Sequence, residues 1–282
     1  MTTEKFSYNK SLKKVGISYL GNTTHSAKMQ YSYNKGTETY CVYIAPSNMA
    51  FGYDSKKTVC PNDKYCKEFC LNGSGHNKAD ILANGYEYSV INKARIKKTR
   101  LFYEDRELFM QILIHEIKKA YNKAKKDGKE FAVRLNGTSD LSPLAFKYQG
   151  KNILEIFPDI QFYDYTKVAN RFNLLKKYPN YDLTFSYNGY NWNECEKVLE
   201  NNGKVAVVFA NDLPTYFNGY IVENGNDDDM RYLNSPKSII GLHYHKTAND
   251  YVMDKNIGKR VFKEPDTPFV IKENDERNYF SN

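Results

Sequence analysis

The chain lacks any apolar run near the roughly 18 to 20 residues that span a bilayer, and its opening, "MTTEKFSYNKSLKK", has no apolar stretch behind its lysines. Both absences argue against membrane insertion and export, so the expected location is a reducing cytoplasm. Tryptophan occurs once and cysteine only five times in 282 residues, an odd number that cannot pair completely. What is present in quantity is lysine, asparagine and tyrosine, with 41% apolar residues, enough for a sizeable core, and a net charge of +8. That charge permits contact with nucleic acid without establishing it, because many of the lysines of 117–129 fall on the polar face of an amphipathic helix.

The few cysteines are not spread evenly. Cys60, Cys66 and Cys70 lie within "CPNDKYCKEFCLNGSGH", residues 60–76, while Cys41 and Cys195 stand alone in segments that read as buried strand and helix. A disulfide loop, a zinc knuckle and an iron–sulfur cluster all use such spacing, and a reducing compartment disfavours the first. Three thiolates leave one position open on a tetrahedral metal or on the fourth iron of a [4Fe–4S] cluster, where an external ligand can bind. His76 can instead close a Cys3His zinc site, which is the structural alternative.

From Phe131 onward short β-branched or aromatic runs alternate with polar loops and helical stretches. The runs "FAVRLNG", "IQFYDYT", "DLTFSY", "VAVVFA" and "SIIGLHYH" begin 22 to 33 residues apart, room for the crossovers that parallel strands require. "TYCVYIA" (39–45) is the first strand. Residues 104–128 read as the strongest helix, started by Asp105 and ended by Gly128, and "NRFNLLKKYPN" and "NWNECEKVLENNG" as further helices, the last with Gly203 as its C′ residue. Asn218-Gly219 marks a hairpin. The expectation is an α/β fold: a partial (βα)6 TIM-like barrel of parallel strands over 38–282 with the Cys-rich loop 60–76, preceded by an N-terminal extension, 1–37. A doubly wound open sheet would give a similar pattern.

Parallel α/β folds bind ligands at the carboxyl ends of their strands. "RLNGTSD" places Arg134, Asn136, Gly137 and Asp140 there; Gly137 allows close backbone approach and Asp140 offers a carboxylate, although a turn aspartate capping the next helix is the commoner use. Lys167 ends the third run, and His243 and His245 alternate near the end of the sixth, where they serve as ligands or proton carriers, or as strand histidines with backbone partners. With Asp140 the two histidines also make up a metal-dependent hydrolase set. His115 lies among apolar residues in the long helix and reads as packed, and His25 stands in a loop.

The order of features, a three-cysteine loop after the first strand and a Gly- and acid-containing turn after the second, resembles the radical S-adenosylmethionine enzymes. That resemblance implies a [4Fe–4S] cluster on Cys60, Cys66 and Cys70, S-adenosylmethionine met by Asn136, Gly137 and Asp140, a host flavodoxin or ferredoxin as reductant, and a site lined by Arg134, Lys167, His243 and His245. The spacing here is C-x5-C-x3-C where that family usually has C-x3-C-x2-C. A second likeness covers most of the chain: "ARIKKTRLFYEDRELF", "AVRLNGTSD", "FPDIQFYDYTK" and "YDLTFSYN" together resemble the uncharacterised gene product 88-like family of phage proteins. It implies a phage origin, hence a host cytoplasm, and a shared fold. The rival to an enzyme is a zinc-stabilised phage protein that binds nucleic acid or protein through its basic surface.

Overall fold

A computed structural model describes residues 6–23, 26–52 and 54–278. His25 lies outside the described residues. In chain order the elements are α1 (Tyr8–Val15), β1 (Gly21–Asn22), α2 (Ala27–Asn34), β2 (Thr37–Val42), α3 (Gly75–Asn84), α4 (Val90–Glu104), α5 (Arg106–Lys126) and β3 (Glu130–Arg134). There follow β4 (Lys147–Tyr148), β5 (Lys151–Asn152), α6 (Ile153–Ile156), β6 (Gln161–Thr166), β7 (Tyr181–Ser186), α7 (Trp192–Glu200) and β8 (Lys204–Phe209). The last are β9 (Tyr216–Phe217), β10 (Tyr220–Asn224), β11 (Ser238–His243), β12 (Tyr251–Asp254), β13 (Lys259–Phe262) and β14 (Val270–Ile271).

The fold is mixed α/β with a mostly parallel central sheet, and among the described strands no barrel closure is found. The chain forms two compact units. The first takes Met1–Cys60, Ile91–Asp164 and Leu174–Asp182; the second takes Pro61–Val90, Tyr165–Asn173 and Leu183–Asn282.

In the first unit β1 pairs antiparallel with β2, β2 parallel with β3, and β3 parallel with β6. β2 is buried along its whole length, as a strand covered on both faces must be. α5 packs against this sheet through Phe109, Ile112, Leu113 and Ile117, the three-to-four-residue repeat legible in the sequence. The Asp105 side chain accepts the Leu108 N–H at 3.0 Å to start it, and Lys123, Lys125 and Lys126 in its last turn suit the negative end of the helix dipole.

In the second unit β8 lies between β7 and β11, parallel to both, and the "KVAVVF" run is the apolar strand such a position requires. β10 extends the sheet parallel to β11, and β9 turns back antiparallel through Asn218 and Gly219, both at positive φ. α7 buries Cys195, Val198 and Leu199 over Val205, Val207 and Ile239. Burial pushes the Cys195 thiol up to about 12, as expected of an inert packed cysteine. β14 pairs parallel with the end of β8.

Several expectations need correction. "NRFNLLKKYPN" holds a 3-10 turn over Ala169–Leu174 in place of an α-helix. After α7 the left-handed position belongs to Asn202 (φ 59), not Gly203; Gly203 is needed because a Cβ there would stand 2.4 Å from the Val198 side chain. α4 and β12 to β14 were not anticipated, and the segment before β2 carries two helices and a short strand.

Candidate functional site

The carboxyl ends of β2 and β3 are knotted together by the turn that follows β3. The Gly137 N–H donates to the Val42 carbonyl at 2.9 Å, and the Thr138 hydroxyl to the Ile44 carbonyl at 2.6 Å. A side chain at 137 would meet the Tyr43 ring at 2.6 Å, so only glycine fits this approach. Asp140, buried, donates its N–H to the Val59 carbonyl at 2.8 Å, and the Val59 N–H reaches the Ser47 carbonyl at 3.0 Å. Ser47, at φ 54, then donates its own N–H to the sulfur of half-buried Cys60 at 3.3 Å. The Thr58 hydroxyl accepts the Cys60 N–H, and Tyr103 holds the Thr58 carbonyl. The first cysteine and the acidic turn are therefore two ends of one hydrogen-bonded path, and the N–H aimed at sulfur complements negative charge there.

Asn136 anchors this turn. Its amide NH2 donates to the Leu141 carbonyl and to Asp164 Oδ2, both at 3.0 Å, while its Oδ1 accepts from Ser139 and from the Leu141 N–H, each at 2.8 Å. The Asn136 N–H bonds Asp164 Oδ1 at 2.8 Å, and Tyr181 donates to Oδ2 at 3.3 Å. Asn136 is thus spent on holding the turn, and its partner Asp164 was missed in the sequence. The one signal was an aspartate inside the apolar run of β6, which a buried strand accepts only with partners. Arg134 ends β3 half-buried, with Nε on the Asn136 carbonyl at 3.3 Å. Asp140 caps no helix: the 3-10 turn Pro143–Ala145 is capped by Ser142.

The remaining expected residues belong to the second unit. Cys66 and Cys70 are half-buried on a loop shaped by the Phe69 N–H to Cys66 carbonyl bond (3.2 Å) and the Gly73 N–H to Cys70 carbonyl bond (2.9 Å). Tyr65 packs on Tyr190 with centroids 4.2 Å apart, and Phe69 stacks on Phe269 at 6.0 Å. His76 is exposed in the first turn of α3. Lys167 follows β6, and its carbonyl accepts from Asn62 at 2.6 Å. His243 is the last residue of β11 and His245 lies beyond the strand, both exposed. His115 stacks on Tyr8, 4.5 Å between centroids.

None of the five cysteines is in a disulfide, so the donor chemistry of the cluster loop suits a thiophilic metal. Among the described residues, however, no three His, Cys, Asp or Glu side chains stand together as a ligand set. The donors are of the right kind and are not preassembled.

A second buried centre in the first unit went unread in the sequence. Glu116 of α5 accepts from the Tyr8 hydroxyl at 2.8 Å, the Tyr40 hydroxyl at 2.5 Å, the Leu20 N–H at 3.0 Å and the Gly21 N–H at 3.0 Å. Burial, then the Glu116 charge, pushes both tyrosines up. Nearby, buried Lys98 donates to the Leu20 carbonyl at 2.8 Å, and burial lowers it to about 8.

A family model described as gene product 88 matches residues 10–260. No curated protein and no solved structure matches the chain. Among the described residues no helix is long and apolar enough to cross a membrane.

Proposed function

This chain belongs to the gene product 88 family, and from that premise and the strand-end knot we propose that it is a phage iron–sulfur enzyme of radical S-adenosylmethionine type. The observation that carries the reading is the path from the Cys60 sulfur through Ser47 and Val59 to the N–H of Asp140. It joins the start of the cysteine loop to the Gly137–Asp140 turn at the carboxyl ends of β2 and β3, where a parallel fold presents its ligands. Cys66 and Cys70 enter the proposal through their spacing in the chain, and a bound metal would order the loop around it, as ligation and folding are coupled in metal sites. A bound [4Fe–4S] cluster would supply one-electron chemistry to S-adenosylmethionine. The chain's own part is to position: Gly137 lets the backbone approach closely, Asn136 fixes the turn, and Asp140 offers a carboxylate to an amino group. A partial barrel is the architecture this reading takes, and host flavodoxin or ferredoxin its reductant.

Anaerobic reconstitution with iron and sulfide tests it. The expected product is brown, absorbs near ~400 nm, and loses that absorption in Cys60→Ser, Cys66→Ser and Cys70→Ser. Colourless protein carrying one zinc overturns the cluster in favour of a Cys3His site with His76. A triple cysteine variant that keeps its metal overturns both.

A further inference from the structure

β12 and β13 form a two-stranded ribbon of their own, with Tyr251 opposite Phe262, Val252 opposite Val261, Met253 opposite Arg260 and Asp254 opposite Lys259. Such a ribbon normally covers one face with a core. This one has half-buried Tyr251, Asp254 and Val261 but leaves Val252 (42%), Met253 (57%), Ile257 (58%) and Phe262 (39%) exposed. Strand alternation puts Tyr251, Phe262, Met253 and Arg260 on one face. The two rings lie 5.9 Å apart, Lys246 stands 4.0 Å over Phe262, and Lys78 stands 5.4 Å from Tyr251. Within residues 251–263 Lys255, Lys259, Arg260 and Lys263 face a single acid, Asp254.

Phe262 and Lys246 also wall a cavity of about 270 Å³ that reaches Ala210 and Asn211 after β8, Val270 of β14, Tyr244 and Glu264. Its polar lining sets the Glu264 carboxylate and the Asn211 amide oxygen, acceptors for an exocyclic amine, beside the Lys246 and Lys272 ammonium groups. The ribbon outside it is cationic and aromatic. A polymer with regularly spaced anions and flat, amine-bearing rings matches both halves.

We propose that the β12–β13 ribbon and the adjoining cavity bind single-stranded nucleic acid, with phosphates beside Lys246 and Arg260, on the face that carries Tyr251 and Phe262, and a base against Phe262 over the cavity. Exposed rings flanked by cations are how proteins hold single strands, whose unstacked bases a duplex does not offer. This surface does not depend on the metal reading, and protein without metal serves for its test.

Fluorescence anisotropy with a labelled oligodeoxycytidylate of about 15 nucleotides, whose bases carry the exocyclic amine, from about 50 to 200 mM salt, is the experiment. Binding is expected to weaken steeply with salt. Lys246→Ala/Arg260→Ala, at exposed positions that leave the fold intact, should flatten the log–log salt slope by about 1.4. Phe262→Leu should weaken binding about fivefold or more. Lys10→Ala/Lys14→Ala, on α1, should bind as the unaltered protein does. Absence of binding at low salt, an equal loss in the α1 variant, an unchanged slope in the ribbon variant, or equal competition by a duplex of the same length would each overturn the proposal.

Discussion

Glu116 in the first unit and Arg231 in the second are both buried charges, and their neighbours treat them differently. Glu116 is 6% exposed and receives two hydroxyls and two backbone amides. Arg231, 1% exposed, spends Nη2 on the Asp228 carboxylate and carbonyl, while its Nε and Nη1 have no partner among the described residues. A buried charge is tolerated in proportion to the hydrogen bonds made to it, and breaking a complete set costs far more than breaking an incomplete one. Glu116 is thus a fastening between α5 and the segment carrying Tyr8, Leu20 and Gly21. Arg231 is held by charge instead: burial opposes its cation, but Tyr165, Asp229 and Asp228 around it leave the charged form favoured.

The contrast should show in the variants. The largest effect is expected for Glu116→Leu, which strands two hydroxyls and two amides: about 3–5 kcal/mol lost in urea unfolding, a value below about 1 being incompatible with the fastening. Asn136→Ala removes the anchor of the β3 turn and strands the buried Leu141 N–H and carbonyl, for about 2–3 kcal/mol by the same measurement. Lys98 sharpens the point through pH. Its folded value of about 8 lies below the 10.5 of a free lysine, so the unfolded chain binds more protons between those values and stability rises with pH. The rise from pH 8 to about 10 should approach 2–3 kcal/mol and vanish in Lys98→Met. Above about pH 10 the trend reverses, because Tyr8 and Tyr40 hold their protons in the fold and lose them in the unfolded chain. A smaller change is expected for Arg231→Met, about 1–2 kcal/mol, since the substitution also removes the two unpartnered N–H groups and Asp228 can turn to water, while buried Asp229 loses a neighbouring cation.

The legible parts of the fold were those whose cause is local. The apolar runs from Phe131 to His243 became β3, β6, β7, β8 and β11, α5 begins at its Asp105 cap, and Asn218-Gly219 turns the hairpin. α4 was missed because its apolar positions are few: it buries Asn92, Lys98 and Thr99 beside Leu101 and Phe102, so its periodicity reads as polar. In the candidate site Gly137, Asp140 and Cys60 were legible from residue type and place in the chain. Their coupling was not, because it runs through the backbone of Ser47 and Val59, whose side chains announce nothing. Asp164 and Glu116 were illegible for a related reason: Glu116's partners lie 76 to 108 residues away, and a glutamate on a lysine-rich helix reads as solvated.

β14 has a consequence in time. β7 pairs with β8 only over Lys204–Ala206, and Val270 and Ile271 take up the pairing with Val208 and Phe209. During synthesis that half of β8 emerges some sixty residues before the segment that covers it, leaving an apolar edge open to any passing strand. Nascent second units on crowded polysomes are then the state most exposed to mispairing, and a chaperone that shields Val208 and Phe209 until Ile271 has left the ribosome would raise the yield of folded protein more than one acting after release.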